Sequence, residues 1–248
     1  RYVAQIVITA LNFLTDRYCR QYPVLAMGQE LYQRYVKVNP QTVLFANSKY
    51  TRKDIITEHN LKPLNWNTRI NILYAGRLEC NKGLQFLLEA LAGITSFTFT
   101  LTIAGDGPYK NELDKISKKL NLDGRMQFTG NIPFGDDLFR LYEQSDIFIL
   151  PSMSEGLPQV VLEAMAKGVL VLASRTGGIA DIIEHGKNGF LFDAANRMAL
   201  YSLLESLHTA KTDTVSLRSN ALKTAEHYCQ ENQHRIFEKL FAQCYGPL

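Results

Sequence analysis

The sequence predicts an α/β domain with a doubly wound parallel sheet, on three observations. Short β-rich runs alternate with stretches of helical spacing between residues 70 and 192. Two of those runs, Ile147–Leu150 and Val169–Ala173, are apolar at nearly every position, as strands buried on both faces of a parallel sheet are. Most of the runs end in a glycine-bearing turn, the place where an open parallel sheet meets its ligands.

The elements follow in order. Val3–Leu14 is apolar but interrupted by Gln5, Thr9 and Asn12, and it lacks the flanks of a signal peptide. Thr42–Ala46 reads as a strand and Thr51–His59 as a helix. Leu61–Thr68, with Pro63 and Asn65–Asn67, reads as a linker. Strands are then expected at Asn71–Ala75, Thr98–Ala104, Met126–Thr129, Ile147–Leu150, Val169–Ala173 and Gly189–Phe192. Leu84, Leu87, Leu88 and Leu91 follow the i, i+3, i+4, i+7 rule of a buried helix face. Val161, Leu162, Met165 and Ala166 form a second such face. After Asp193 the strand signals stop, and residues 196–208, 213–229 and 231–244 read as helices. Ile236, Leu240, Phe241 and Cys244 make an apolar stripe on the last one, which must pack on this domain or on a neighbour.

Composition narrows the function classes. The chain has 248 residues, 46% hydrophobic and 21% charged, the values of an ordinary globular protein with material for a real core. Disorder, collagen-like repeats and a disulfide-stapled miniprotein are excluded. A net charge of +3 lends no support to nucleic-acid binding. That charge is uneven: residues 1–69 carry +6 and residues 70–248 carry −3, which suits either ordinary surface composition or an anionic partner such as a lipid surface. Cys19, Cys80, Cys229 and Cys244 show no C-x-x-C pair and no metal-ligand spacing, so free thiols are expected. No apolar run reaches the roughly 20 residues that span a bilayer. A cytoplasmic protein is expected, with peripheral membrane contact compatible with the basic first segment. The chain begins at Arg1 rather than Met, so a processed chain or a piece of a longer one is expected.

The strand ends carry the candidate chemistry. After Asn71–Ala75 come Gly76, Arg77, Lys82 and Gly83, which place two cations and a helix N-terminus at the sheet mouth, either a phosphate site or two solvated charges. Gly105-Asp106-Gly107-Pro108 follows the next strand and reads as a plain turn or a ligand loop. Gly130, Asn131 and Ile132 form a loop able to offer backbone groups to the edge of a base.

Pro151-Ser152-Met153-Ser154-Glu155-Gly156-Leu157-Pro158 is the most informative stretch. Pro158 suits the first position of a helix, which leaves the amides of Leu157, Gln159 and Val160 free for an anion or sugar oxygens. Gly156 lets a ligand come close. Glu155 precedes the helix and Glu163 lies on it, in an apolar stretch where a carboxylate needs a partner or a function. Two carboxylates around such a pocket suit a ligand with vicinal hydroxyls. Ser174-Arg175-Thr176-Gly177-Gly178-Ile179 then places a glycine pair at another strand end.

Taken together, these motifs resemble the retaining glycosyltransferases of GT-B fold, family-four type, also called glycosyl transferases group 1. The resemblance rests on Gly76-Arg77…Lys82-Gly83, Gly105-Asp106-Gly107-Pro108, Ser154-Glu155-Gly156…Glu163-Ala164-Met165-Ala166 and Gly177-Gly178-Ile179…Gly189. Glu155 and Glu163, with seven residues between them, match the E-x7-E element. It covers roughly residues 43–245.

The resemblance implies a Rossmann-like sheet that forms the C-terminal, donor-binding half of the fold. It implies that Arg77 and Lys82 hold the donor's diphosphate and that Glu155 positions the donor sugar, making these three the catalytic group. Glu163 would bind the ribose, Gly130–Ile132 the base, and the amides of Leu157, Gln159 and Val160 the sugar or phosphate. The donor would be a UDP-, GDP- or ADP-sugar and the acceptor a saccharide or lipid-linked hydroxyl. Leu170 and Asp181 stand where many members have Pro and Glu, and Pro158 stands where some have Gly.

Residues 1–65 resemble the tail of an N-terminal acceptor-side domain plus a linker, with Thr42–Ser48 as its last strand. Residues 66–230 would be the donor domain, and 231–248 a helix crossing to the N-terminal one. The N-terminal domain is expected to be incomplete, and this fragment alone is expected to be inactive. There is no D-x-D sequence, so no cofactor and metal-free chemistry are expected. A catalytically silent module that binds a sugar nucleotide or a partner is the alternative. A dehydrogenase would need G-x-G-x-x-G after the first strand, which is absent.

Overall fold

The computed structural model describes residues 14–210 and 212–245, so the apolar Val3–Leu14 run lies outside the described residues except for its last position. Residues 14–21 are helical. A small parallel β–α–β unit follows: β1 (Val24–Ala26), α1 (Gln29–Tyr35) and β2 (Thr42–Leu44). Asn39 organises its turn by donating 2.7 Å bonds to the carbonyls of Cys19 and Tyr22.

Residues 51–59 are not the helix their spacing suggests. They form two 3-10 turns, Arg52–Asp54 and Glu58–Asn60, separated by extended backbone at Ile55. A capping box between Thr51 and Asp54 closes the first turn. The next residue, Ile56, donates its amide to the Ala166 carbonyl 3.0 Å away. Consecutive β-branched residues with a tertiary partner for the backbone override a short helical pattern.

The main sheet then builds in order. Its elements are β3 (Ile70–Ala75), α2 (Leu84–Ala92), β4 (Phe99–Ala104), α3 (Lys110–Lys119), β5 (Met126–Gly130), α4 (Asp136–Glu143), β6 (Ile147–Leu150), α5 (Gln159–Ala166), β7 (Leu170–Ser174), α6 (Ile179–Ile182) and β8 (Phe190–Phe192). All six strands are parallel, in the order β5-β4-β3-β6-β7-β8. Crossovers running in both directions from the centre put helices on both faces. Every residue of β6 and β7 is buried, as their unbroken apolar runs require.

Two amphipathic helices flank the central hydrophobic cluster: α2 buries Leu84, Leu87, Leu88 and Leu91, and α5 buries Val161, Leu162, Met165 and Ala166. α2 packs on α7 (Arg197–Thr209), and α5 packs on α8 (Thr214–Tyr228). Asp213 caps α8 by accepting from the amides of Val215 and Ser216. Cys229 is extended and breaks the chain into a final helix, α9 (Gln230–Tyr245).

The stripe on α9 packs on the small N-terminal unit. Leu240 is buried, and it shares a groove with Tyr22, Pro23 and Leu25. Gln233, itself buried, accepts the Ala46 amide at 2.7 Å. All four cysteines are free thiols. No helix among the described residues is long and apolar enough to cross a membrane.

Candidate functional site

The strand order reverses between β3 and β6, and a crevice forms there at the carboxyl ends of the strands. The structure places a cleft of about 460 Å³ at this end. It collects Gly76, Arg77, Asn131, Ile132, Gln159, Val160 and Glu163 from three separate segments. Another cleft, of about 390 Å³, opens at the amino-terminal edge around Asn71, Thr100 and Met126, and no motif residue reaches it.

Glu163 sits on α5 at the wall of the first cleft and is 4% exposed. The Tyr142 hydroxyl on α4 donates to its Oε2 at 3.0 Å. Burial pushes the Glu163 carboxyl above its ordinary range, while the Tyr142 hydrogen bond and the Lys49 charge pull the other way. The apolar run Val160–Ala166 therefore contains a carboxylate with one oxygen tied down and a cleft in front of it. An acceptor so placed suits a diol.

α5 begins at Gln159, so Pro158 is the capping residue rather than the first helical one. Its φ of −74° and ψ of 113° are extended. Its ring still sacrifices no helical hydrogen bond there. The amides of Leu157, Gln159 and Val160 have no acceptor among the described residues. They remain available at the positive end of a helix dipole.

Lys82, Glu155, Gly156, Leu157 and Gly130 are outside the cleft lining. The Lys82 ammonium lies 2.9 Å from Glu155 Oε1, with side chains 20% and 14% exposed. Ser152 Oγ donates to the same oxygen at 2.6 Å. Ser174 in turn donates to the Ser152 carbonyl, tying the pair to the end of β7. Arg77 lies 2.7 Å from Glu79 and is 77% exposed. The two cations expected to stand together are thus each paired with a carboxylate. Repositioning Arg77 needs no unburying, whereas Lys82 is already fixed beside Glu155.

The glycines serve loop-to-loop contact more than ligand contact. A Cβ on Gly83 would lie 2.1 Å from the Pro151 carbonyl oxygen, and one on Gly105 would lie 1.8 Å from that of Gly76. These approaches bring the ends of β3, β4 and β6 together. Gly156 and Gly130 instead face open space.

Three cleft features escape the sequence reading. Lys49, Phe134 and Leu138 line the cleft, and Lys49 stands 5.9 Å from the centre of the Phe134 ring. Nothing local in Lys49's sequence distinguishes it from a surface lysine. Tyr142 was legible in principle, since Leu138, Phe139 and Tyr142 have helical spacing, and all three are buried on α4.

With this geometry in hand, two solved structures and one curated relative place the chain. A glycosyltransferase from Rickettsia africae ESF-5 superposes with a TM-score of 0.76 at 20% identity, covering 92% of this chain and 66% of that one. Anabaena Alr3699/HepE in complex with UDP-glucose superposes with a TM-score of 0.74 at 22% identity, again over 92% and 66%. The fold is that of the GT-B glycosyltransferases, as the motif resemblance implied. The amylovoran biosynthesis glycosyltransferase AmsK of Erwinia amylovora is 27% identical over 243 residues, 92% of this chain and 59% of that protein. The family model for glycosyl transferases group 1 matches residues 56–224, and the chain belongs to that family. It spans between 23% and 59% of the length of the first curated relatives that it matches.

Proposed function

We propose that the chain is the donor-binding part of a retaining glycosyltransferase. It moves a sugar from a nucleotide-diphosphate sugar to an acceptor hydroxyl, in the synthesis of a polysaccharide, lipopolysaccharide or glycolipid. The observation that carries this reading is the cleft at the switch point, where the buried Glu163 shares a wall with Asn131, Ile132 and Arg77. That arrangement suits ribose, base and diphosphate in turn. The complexes of Alr3699/HepE with UDP and with UDP-glucose support a nucleotide-sugar donor. The name of AmsK supports a polysaccharide product.

In this reading Glu163 accepts hydrogen bonds from the ribose diol, and the loop Gly130–Ile132 meets the base. The free amides at the start of α5 hold sugar or phosphate oxygens. Glu155, oriented by Lys82 and Ser152, positions the donor sugar. The bond between the anomeric carbon and the phosphate oxygen breaks through an oxocarbenium-like state. Arg77 and Lys82 meet the charge that develops on the leaving diphosphate, where preorganised cations act most strongly. The acceptor oxygen bonds to the anomeric carbon on the face the phosphate leaves, and its proton goes to the departing phosphate. A bound cation is the other chemical solution to that charge, and the lack of a D-x-D sequence favours the two side chains. The protein works in the cytoplasm, at a membrane surface where the acceptor is lipid-linked.

Calorimetric titration of the chain with UDP, GDP and ADP and their hexose conjugates, without added metal, tests the reading. Binding of one nucleotide, weakened tenfold or more by Glu163→Ala, is the expected result. Equal binding by that variant removes the ribose role. Failure of the chain and of the whole protein to bind any of them overturns the proposal.

A further inference from the structure

Among the described residues, Lys49 is the one residue of the cleft contributed by the segment before the linker. Its neighbours on both sides are anchored. The Ala46 amide donates to Gln233 on α9 at 2.7 Å, and the Tyr50 hydroxyl donates to the Ala225 carbonyl on α8 at 2.7 Å. Ala46, Ser48 and Tyr50 are all buried, so the segment is fixed and Lys49 projects from it. Lys49 forms no ion pair among the described residues. Its ammonium stands over Phe134 on one side of the cleft, and Glu163 lines the same cleft.

We propose that Lys49 is a positioning residue of the nucleotide cleft, the counter-charge that keeps Glu163 ionised and able to accept both hydroxyls of a ribose. This deepens the reading of the cleft as a nucleotide-sugar site and rests on it. A carboxylate this buried needs help to remain charged. Tyr142 supplies one hydrogen bond from α4. Tyr50, kept protonated by burial with help from Glu163, brings no positive charge. Arg77 and Asp106, the remaining charged groups of the cleft, have opposite signs. Among the described residues, Lys49 is thus the cation of the cleft with no carboxylate already paired to it.

The first test reads Glu163 directly. Carboxyl-carbon NMR titration of the chain, with the Glu163 signal assigned from Glu163→Gln, is run on the wild type, Lys49→Met and Lys49→Arg. Because Lys49 is exposed, screening limits the effect. The acid ionisation constant of Glu163 should fall about threefold in Lys49→Met and stay near the wild-type value in Lys49→Arg. An unchanged constant in Lys49→Met overturns the proposal.

The second test separates this failure from failure of the site reading. Affinities for UDP-, GDP- and ADP-glucose are measured between pH 5.5 and 8. The affinity of the preferred donor should weaken as pH falls, and Lys49→Met should begin weakening at higher pH. Glu163→Gln should lack that dependence. Binding with identical profiles in wild type and Lys49→Met overturns the role of Lys49 alone. A shifted NMR titration with no donor bound by the chain or by the whole protein overturns the nucleotide reading and with it the purpose assigned to the charge.

Discussion

A Cβ on Gly177 would lie 1.9 Å from the carbonyl oxygen of Glu155, so the glycine pair after β7 and the carboxylate loop after β6 are in direct backbone contact. Gly177 also has a φ of +45°, which disfavours any other residue. Both constraints act on the loop that presents Glu155 to Lys82. Gly177→Ala should destabilise the protein by about 1–3 kcal/mol and weaken sugar transfer in the whole protein. Gly156→Ala, with open space around it, should leave stability within about 0.5 kcal/mol. Urea denaturation of the two variants checks the contrast.

Glu163 gives a stability prediction with a definite sign. Its folded carboxyl binds a proton more readily than the unfolded one, because burial is the largest influence on it. Between the two ionisation ranges the native state holds more protons, so its contribution falls as pH rises. Glu163→Gln should therefore equal or exceed wild-type stability at pH 7. The difference should vanish below about pH 4, where both states are protonated. Denaturation at pH 4 and pH 7 reads it, and a variant less stable at pH 7 than at pH 4, relative to wild type, contradicts it. Stability and donor affinity would then move in opposite directions, as expected of a buried group retained for binding.

The sheet was largely legible because its signals are local. Ile147–Leu150 is the same four residues in sequence and structure, and the Leu84–Leu91 face is buried as its spacing demands. Pattern failed where tertiary contact decides. Ile56 gives its amide to Ala166 and breaks the expected helix at 51–59. β1 has three residues, too few to show a period. Within the site, the motif residues come to one end of the sheet, but their pairing was not legible. Nothing in the spacing of Arg77 and Lys82 shows that Glu79 and Glu155 occupy them. Lys49 reaches the cleft only because Gln233 and Ala225, far along the chain, anchor its neighbours.

The arrangement of Arg77 and Lys82 separates stability from chemistry. Arg77 and Glu79 form a surface pair, and such pairs contribute little. Arg77→Ala should leave the denaturation midpoint nearly unchanged, yet lower kcat for sugar transfer in the whole protein by about a hundredfold or more. Wild-type kcat in that variant rules out a role at the leaving group. Lys82 and Glu155 touch, so Lys82→Met and Glu155→Gln should couple in a double-mutant cycle on stability by about 0.5 kcal/mol or more.

The link between α9 and the N-terminal unit gives the last prediction. Gln233 is 3% exposed and accepts the amide of Ala46, which is fully buried. Gln233→Leu keeps the bulk of the side chain but leaves that amide without its acceptor. An unsatisfied buried donor costs about 1–3 kcal/mol, so the variant should lose about that much in urea denaturation. Ala46 lies three residues before Lys49, so the loosened segment should also carry the ammonium away from the cleft. The same variant should therefore reproduce part of the Glu163 titration shift of Lys49→Met without altering any residue of the cleft. A destabilised variant with an unshifted Glu163 titration would show that the bonds of Tyr50 to Ala225 and Gln230 suffice to hold Lys49 in place.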